Sequence, residues 1–138
     1  MKFGRVLVCA PHTDDAELGC GGTMAKFVEA GMDVRVMAFS RAEESLPPGA
    51  PKDMLEIEMR NSLHRMGIFE SHITMHSFPV RRFGEHRQDI LESMVKVCRD
   101  FAPTVVFIPS STDVHQDHQV VHGEAVRAFR SDSIWGYE

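Results

Sequence analysis

Runs of apolar residues alternate along the chain with stretches whose apolar positions recur at helical spacing. Residues 5–10 form a nearly continuous apolar run, which is typical of a strand buried on both faces. Residues 33–40 alternate and are rich in β-branched side chains, and residues 104–109 form a second short apolar run. Both segments are therefore predicted to be strands. Weaker strands are predicted over residues 71–78 and 134–137.

Segments with helical spacing lie between these strands. Three of them cover residues 23–30, 54–66 and 88–101, and a fourth opens in the polar loop at residues 110–118 and runs to about residue 130. Gly31 and Gly67 are predicted to end the first two helices. The run Gly19-Cys20-Gly21-Gly22 ahead of the first helix predicts a tight turn. Because strand and helix signals alternate throughout, we expect an α/β domain with a mainly parallel sheet.

Length and charge narrow the class of protein. At 138 residues the chain fits one domain, residues 1–138, and no apolar run is long enough to span a membrane. A net charge of -5 argues against a broad nucleic-acid interface, because phosphate binding needs a surplus of basic residues on one face. The pair Arg81-Arg82 is a local basic cluster that can contact an anionic group.

Cysteine and histidine usage adds further expectations. The cysteines Cys9, Cys20 and Cys98 show no metal or redox spacing, and no signal peptide precedes them, so we expect a cytoplasmic protein without disulfides. Four of the eight histidines are scattered, and we interpret them as structural or surface residues: His64, His72, His76 and His86.

Two polar clusters each follow a predicted buried strand. The first comprises His12, Asp14 and Asp15, and the second comprises His115, Asp117 and His118. The carboxyl ends of parallel strands meet at one edge of a sheet, and ligands of open α/β sheets bind there. The two clusters are therefore expected to meet if their strands are neighbours.

Imidazole and carboxylate groups in this number fit a hydrolytic zinc site, which uses about three protein ligands and leaves one position open. His12, Asp15 and His118 would provide that ligand set. Asp14 is the candidate general base. His115 is the candidate donor to the acyl oxygen or leaving nitrogen, and we expect Asp117 to fix the tautomer of His115 and keep its ring charged.

Other interpretations of these residues remain open at this point. The acidic residues after the first strand can cap a helix or neutralise its dipole, and His115 and Asp117 can do the same for the last helix. His118 and His122 are four positions apart and form an alternative ligand pair. A dinucleotide fingerprint fails, because Met24 stands at its third glycine position and no acidic residue ends the second strand.

The sequence resembles the family of zinc-dependent N-acetylglucosaminyl de-N-acetylases typified by the LmbE and PIG-L proteins. The resemblance rests on residues 11–15 (Pro-His-Thr-Asp-Asp) with residues 19–23 (Gly-Cys-Gly-Gly-Thr), and on residues 115–118 (His-Gln-Asp-His) after a Pro-x-Val-Val-Phe strand. It extends to the entry of the second strand at residues 31–34 and to the helix at 58–67.

The resemblance implies a Rossmann-like three-layer fold and a Zn²⁺ ion held by His12, Asp15 and His118. It also implies Asp14 as the general base and His115 as the acid or oxyanion partner. The substrate would be an acetylated amino sugar or glycoconjugate, with neither nucleic acid nor a membrane span involved. Family members usually continue beyond the strand at residue 137, so we expect the usual C-terminal region to be missing, and a homo-oligomer could complete the pocket.

Two further functions fit the same residues. One is a catalytically silent module of this fold that binds a metal or a sugar. The other is a different metal-assisted hydrolysis, such as that of a phosphoester.

Overall fold

The computed structural model of the protein describes residues 4–138 as one parallel sheet with helices on both faces. The five strands are β1 (Arg5–Ala10), β2 (Asp33–Ala38), β3 (Ile73–Met75), β4 (Val105–Pro109) and β5 (Ser133–Tyr137). The four helices are α1 (Asp15–Glu29), α2 (Met54–Arg65), α3 (Arg87–Phe101) and α4 (Gln116–Ala128). Short 3-10 turns lie in the connections that precede α2, β3 and α3.

The strand order β3-β2-β1-β4-β5 places the first and fourth strands side by side. All four pairings are parallel, with Ala10 beside Ala38 on one side of β1 and Val8 beside Phe107 on the other. From β1 the chain adds β2 and then β3 on one side of the sheet. It then crosses back to add β4 and β5 on the other side of β1. A crevice forms where the order reverses, at the carboxyl ends of β1 and β4.

Each face of the sheet is covered by two helices. Alternate side chains of β1, including Val6 and Val8, pack in one core cluster with α1 and α2. The intervening residues Leu7 and Cys9 pack in a second cluster with α3 and α4. This arrangement confirms the expected α/β three-layer sandwich with a parallel sheet. It also explains why β1 reads as a continuous apolar run, since both of its faces are buried.

Helix α1 differs from the prediction. The expected tight turn at residues 19–22 lies inside the helix, which begins at Asp15 rather than near Thr23. The helix is kinked at Cys20, whose φ of -145° and ψ of 23° are not helical. A side chain at Gly19 would have its Cβ 2.3 Å from Cδ2 of Tyr137. Close packing against β5, rather than a turn, is therefore what requires glycine at this position.

The remaining boundaries follow the sequence pattern to within a few residues. Strand β3 is limited to three residues, and β2 ends at Ala38 rather than at residue 40. Gly67 follows α2 with a φ of +82°, the left-handed conformation that favours glycine after a helix. None of the helices among residues 4–138 has the length and apolar character needed to cross a membrane.

Candidate metal centre

Three side chains from the two polar clusters converge at the crevice. His12 lies in the loop after β1, Asp15 is the first residue of α1, and His118 lies in the first turn of α4. Nδ1 of His12 is 3.2 Å from Oδ2 of Asp15 and 3.3 Å from Nε2 of His118. Nε2 of His118 is also 3.2 Å from Oδ2 of Asp15. The three donor atoms therefore form a nearly equilateral triangle.

This triangle has the size that a zinc ion requires. Ligand atoms about 2.0–2.1 Å from a tetrahedral ion lie about 3.3–3.4 Å from one another. The separations of 3.2 and 3.3 Å match that edge length. Two imidazole nitrogens and one carboxylate oxygen are also a ligand set that hydrolytic zinc proteins use. The residues present therefore fit a divalent transition metal.

The second nitrogen of each candidate imidazole ligand is held by a carboxylate. Nδ1 of His118 lies 2.7 Å from Oδ2 of Asp113, and Nε2 of His12 lies 2.9 Å from Oδ2 of Asp117. A carboxylate can only accept, so each ring donates from that nitrogen. When the ring is neutral, the lone pair of the other nitrogen is directed into the triangle. This is the support that metal-binding histidines ordinarily receive.

The contacts of Asp117 correct the expectation that it positions His115. Its carboxylate is completely buried and binds His12, and it also accepts from the backbone N–H groups of Arg81 at 2.7 Å and Phe83 at 3.3 Å. Only the backbone N–H of Asp117 reaches His115, donating to Nδ1 at 3.1 Å. The side chain of Asp117 therefore links the loop after β3 to a candidate metal ligand.

The surroundings of Asp15 and His115 shift the pKa values of both groups. Burial disfavours the charge on Asp15, but the adjacent rings of His118 and His12 and a hydrogen bond from the backbone N–H of His12 outweigh it and hold the pKa of this carboxyl well below its ordinary value. Burial lowers the pKa of His115, and the nearby His12 and His118 lower it further. The ring of His115 is therefore neutral near pH 7, which differs from the expectation that Asp117 keeps it charged.

Asp14 and His115 lie on the wall of a cavity of about 450 Å³ that His12 of the triangle also lines. The start of α1, the loop after β2, the first turns of α2 and the loop after β3 complete its lining. Asp14 is exposed and occupies the N-cap position of α1, but its side chain makes no capping hydrogen bond. Its carboxylate is thus available to a molecule in the cavity.

The alternative interpretations fare differently in the structure. A capping role is observed for His115, whose Nδ1 accepts the N–H of Asp117 at the start of α4. His122 instead directs Nδ1 to the carbonyl oxygen of Pro109 at 2.8 Å, away from the triangle. Across residues 4–138, a second group of three potential ligands consists of His12, His115 and Asp117. In that group Nδ1 of His115 already accepts a backbone N–H.

Asp113 is the site residue that sequence reasoning missed. Besides contacting His118, it accepts the backbone N–H of His115 through Oδ1 at 2.9 Å. One carboxylate therefore positions both histidines of the second cluster. The available signal was its place two residues before His115, where aspartate commonly accepts a backbone N–H in a turn that leads into a helix.

Sequence similarity to known proteins extends over nearly the whole chain. The family model described as PIG-L: GlcNAc-PI de-N-acetylase matches residues 7–129. The uncharacterized deacetylase YaiS of Escherichia coli (strain K12) is 26% identical over 144 residues, covering 99% of this chain and 75% of that protein. A 2'-N-acetylparomamine deacetylase of Streptomyces fradiae is 28% identical over 148 residues, covering 92% of this chain and 52% of its own length.

A solved structure shows the same fold. The N,N'-diacetylchitobiose deacetylase from Pyrococcus horikoshii superposes with a TM-score of 0.83 at 20% identity, covering 94% of this chain and 50% of that one. The present chain thus spans three quarters of one of these relatives and about half of the other two.

Proposed function

The chain belongs to the PIG-L family of GlcNAc-PI de-N-acetylases, and from this premise we propose that it is a zinc-dependent hydrolase that removes the N-acetyl group from an amino sugar or glycoconjugate. The observation that carries the proposal is the triangle of His12, Asp15 and His118, one corner of which, His12, lines a cavity. The S. fradiae and P. horikoshii proteins are named as deacetylases of acetylated amino sugars, which supports this substrate class.

The proposed zinc ion would be held by His12, Asp15 and His118. When bound, such an ion supplies Lewis-acid polarisation of the amide carbonyl and of a water molecule. Asp113 and Asp117 keep the two imidazole rings in the tautomers that leave a lone pair for the ion. The negative charge of Asp15, maintained by its hydrogen bonds, adds electrostatic attraction for a cation.

Asp14 is the general base in this proposal. It follows His12 by two residues, lines the cavity and is not engaged in capping α1. A carboxylate at this position can take a proton from the attacking water and later deliver it to the leaving nitrogen. The neighbouring Asp15 is assigned to the ion instead, because its Oδ2 lies within 3.2 Å of both imidazole rings.

His115 is the proposed hydrogen-bond donor to the acyl oxygen. Because its Nδ1 accepts the backbone N–H of Asp117, the proton of the neutral ring resides on Nε2. The geometry therefore fixes a single tautomer with one N–H to donate. A neutral donor that is held in place stabilises developing negative charge on the acyl oxygen without first losing a proton.

Acetate release tests this proposal. Protein loaded with zinc is incubated with N-acetylglucosamine and N,N'-diacetylchitobiose, and free acetate is measured. We expect turnover, and we expect Asp14→Asn to lower kcat by about 10²–10⁴-fold, the usual contribution of a general base. Asp89→Asn is the matched control, because Asp89 is exposed on α3, away from the lining of the cavity.

One outcome would contradict the assigned role of Asp14, and two others would favour a different function. Unchanged acetate release by Asp14→Asn would remove Asp14 from the mechanism. Sugar binding by calorimetry with no acetate formed by the zinc-loaded protein would favour the catalytically silent module. Faster turnover of phosphatase substrates than of acetylated sugars would favour phosphoester hydrolysis.

A further inference from the structure

The two arginines of the basic pair in the loop after β3, Arg81 and Arg82, differ in their ion pairing. Arg82 forms an ion pair with Glu85, with Nη1 2.8 Å from Oε1, and both side chains are largely exposed. Arg81 makes no ion pair with any side chain of residues 4–138, and it lines the same cavity as His12, Asp14 and His115. The two neighbouring arginines therefore have different environments, and only Arg81 presents an unpaired charge to the site.

The backbone of Arg81 is fixed by the second polar cluster. Its N–H donates to the buried carboxylate of Asp117 at 2.7 Å, and its carbonyl oxygen accepts from Nε2 of Gln116 at 3.4 Å. Its φ of +66° lies in the left-handed region, which a residue with a Cβ adopts only when its surroundings impose it. The loop is thus held in a strained conformation by the carboxylate that also binds His12.

Burial on both sides of Arg81 restricts its position further. Val80 is 7% exposed and Phe83 is completely buried, so the chain is anchored just before and just after the exposed arginine. Arg81 also borders an adjoining cavity of about 420 Å³ formed with Pro79 and Glu44. Val80 and Arg81 therefore line both cavities.

The charge of Arg81 contrasts with the rest of the main cavity. Apart from its histidines, the other ionisable lining residues are the acids Asp14 and Glu17 at the start of α1 and Glu58 on α2. None of these carboxylates lies within ion-pairing distance of the guanidinium. An anionic group bound beside these acids would be repelled, whereas the end of the cavity at Arg81 would attract it.

We propose that Arg81 is a specificity-determining residue that binds a carboxylate or phosphate group on the acetylated amino sugar. This inference rests on the proposed deacetylase function. A guanidinium matches the paired oxygens of both groups with two parallel N–H donors, which a neutral sugar hydroxyl does not offer. The acidic wall and the single arginine then orient the substrate, with its anionic substituent at Arg81 and its acetamido group over the metal centre.

The test compares anionic and neutral sugars in matched variants. Zinc-loaded wild-type, Arg81→Gly and Arg81→Lys proteins are assayed for acetate release from N-acetylglucosamine, N-acetylglucosamine 6-phosphate and N-acetylmuramic acid. Glycine adopts a positive φ readily, so Arg81→Gly removes the side chain without disturbing the loop. Arg99→Gln is the control, since Arg99 pairs with Asp100 on the exposed face of α3.

We expect the wild-type kcat/KM to be at least tenfold higher for one of the anionic sugars than for the neutral one. Arg81→Gly should lower that ratio at least tenfold, mainly through KM, with Arg81→Lys intermediate because it keeps the charge but loses the paired donors. Preference for the phosphate or for the carboxylate sugar identifies which anion is bound. An unchanged ratio in Arg81→Gly would overturn the inference, even with acetate released from all sugars.

Product binding distinguishes failure of this inference from failure of the proposed function. Glucosamine 6-phosphate and neutral glucosamine are titrated calorimetrically into each variant. If no sugar releases acetate but wild-type protein binds the phosphate compound at least tenfold more tightly than Arg81→Gly does, deacetylation fails while the anion site stands. Equal affinity of the wild-type and Arg81→Gly proteins for glucosamine 6-phosphate would exclude Arg81 as an anion site in either case.

Discussion

Asp113 and Asp117 hold the two imidazole rings of the candidate metal centre, and they differ in burial. The side chain of Asp117 is completely buried and also accepts two backbone N–H groups, whereas that of Asp113 is 25% exposed. Removing a buried carboxylate leaves its donors unpaired, at about 1–3 kcal/mol for each group. Asp117 therefore serves both the fold and the site, while Asp113 offers a way to perturb the site alone.

Replacing Asp113 with alanine should weaken zinc binding without unfolding the protein. The variant removes the acceptor of His118 Nδ1–H and of the His115 backbone N–H. Loss of such a supporting carboxylate typically costs about 10–100-fold in metal affinity. Water can replace the exposed part of the side chain, so we expect the metal-free stability to fall by only about 1 kcal/mol.

Competition titration with a zinc chelator measures the affinity, and urea unfolding of the metal-free protein measures the stability. Asp89→Ala, at an exposed position in the first turn of α3, is the control and should match wild type in both. Equal zinc affinity in Asp113→Ala and wild type would show that Asp113 does not support the site.

His76 should make the fold sensitive to acid. Its ring lies 5.8 Å from those of both Phe39 and Phe78, and its buried Nε2 has no hydrogen-bond partner among residues 4–138. Burial lowers the pKa of this ring below its ordinary value of 6.5. The unfolded chain therefore takes up a proton near pH 6.5 that the folded protein does not accept until a lower pH.

The contribution of His76 to stability is thus complete above pH 6.5 and is lost as the pH falls through the window below it. We expect His76→Phe, which keeps an aromatic ring between Phe39 and Phe78, to lose less stability than wild type between pH 7 and pH 5. Urea unfolding at several pH values provides the comparison. Parallel pH profiles for the two proteins would exclude His76 as a source of the acid sensitivity.

At the scale of elements, β5 is coupled to α1 and β1 through Tyr137. Its buried ring packs against Gly19, and its hydroxyl donates to the carbonyl oxygen of Cys9 at 2.7 Å. The first turns of α1 carry Asp15, and the kink at Cys20 separates them from the rest of the helix. Tyr137 therefore contacts the part of α1 that bears a candidate metal ligand.

Two glycines of α1 should respond oppositely to alanine. In Gly19→Ala the new Cβ would overlap the Tyr137 ring, and overpacking of this kind costs about 1–3 kcal/mol. At Gly22 a new Cβ would meet no atom within 4 Å, so Gly22→Ala should stabilise the helix by about 0.5–1 kcal/mol. Unfolding free energies measure both effects. Equal effects at the two positions would contradict the packing account.

The parts of the fold set by local pattern were predictable from the sequence. The apolar runs at β1 and β4 predicted two strands of the sheet. Because these two strands are adjacent in the sheet, the loops that follow them bring His12, Asp15 and His118 together. That these residues bind zinc stays a prediction. Helix α1 was misplaced because glycines disfavour a helix locally, while Tyr137, the packing partner of Gly19, is more than a hundred residues away.

The partners of Asp117 were beyond prediction for a related reason. Its carboxylate accepts hydrogen bonds from the backbone of the loop at residues 81–83. No hydrophobic periodicity or motif in that loop predicts these hydrogen bonds. Local spacing instead suggested His115, two positions away. A buried carboxylate accepts whichever donors the tertiary structure brings to it, so its partners depend on topology rather than on sequence neighbours.

On the scale of the whole molecule, the candidate metal centre connects the two halves of the sheet. His12 and Asp15 follow β1, and His118 follows β4 after the crossover. Oδ2 of Asp15 lies 3.2 Å from a ring nitrogen of each histidine, so the three candidate ligands meet only when both halves are folded. A ligand that binds only the folded arrangement stabilises the entire domain, because the unfolded chain does not assemble the three donors.

Zinc should therefore raise the thermal unfolding midpoint of the protein. At a free concentration of 100 times Kd, binding to one site stabilises by about 2.7 kcal/mol. For a chain of 138 residues, this corresponds to a shift of roughly 8 °C, at about 3 °C per kcal/mol. His118→Ala should abolish the shift. His122 lies on the same face of α4 as His118, but it is directed to the carbonyl oxygen of Pro109, so His122→Gln should retain the shift. Calorimetry with and without zinc decides between them: a shift lost in His122→Gln and kept in His118→Ala would place the ion on α4 away from the triangle.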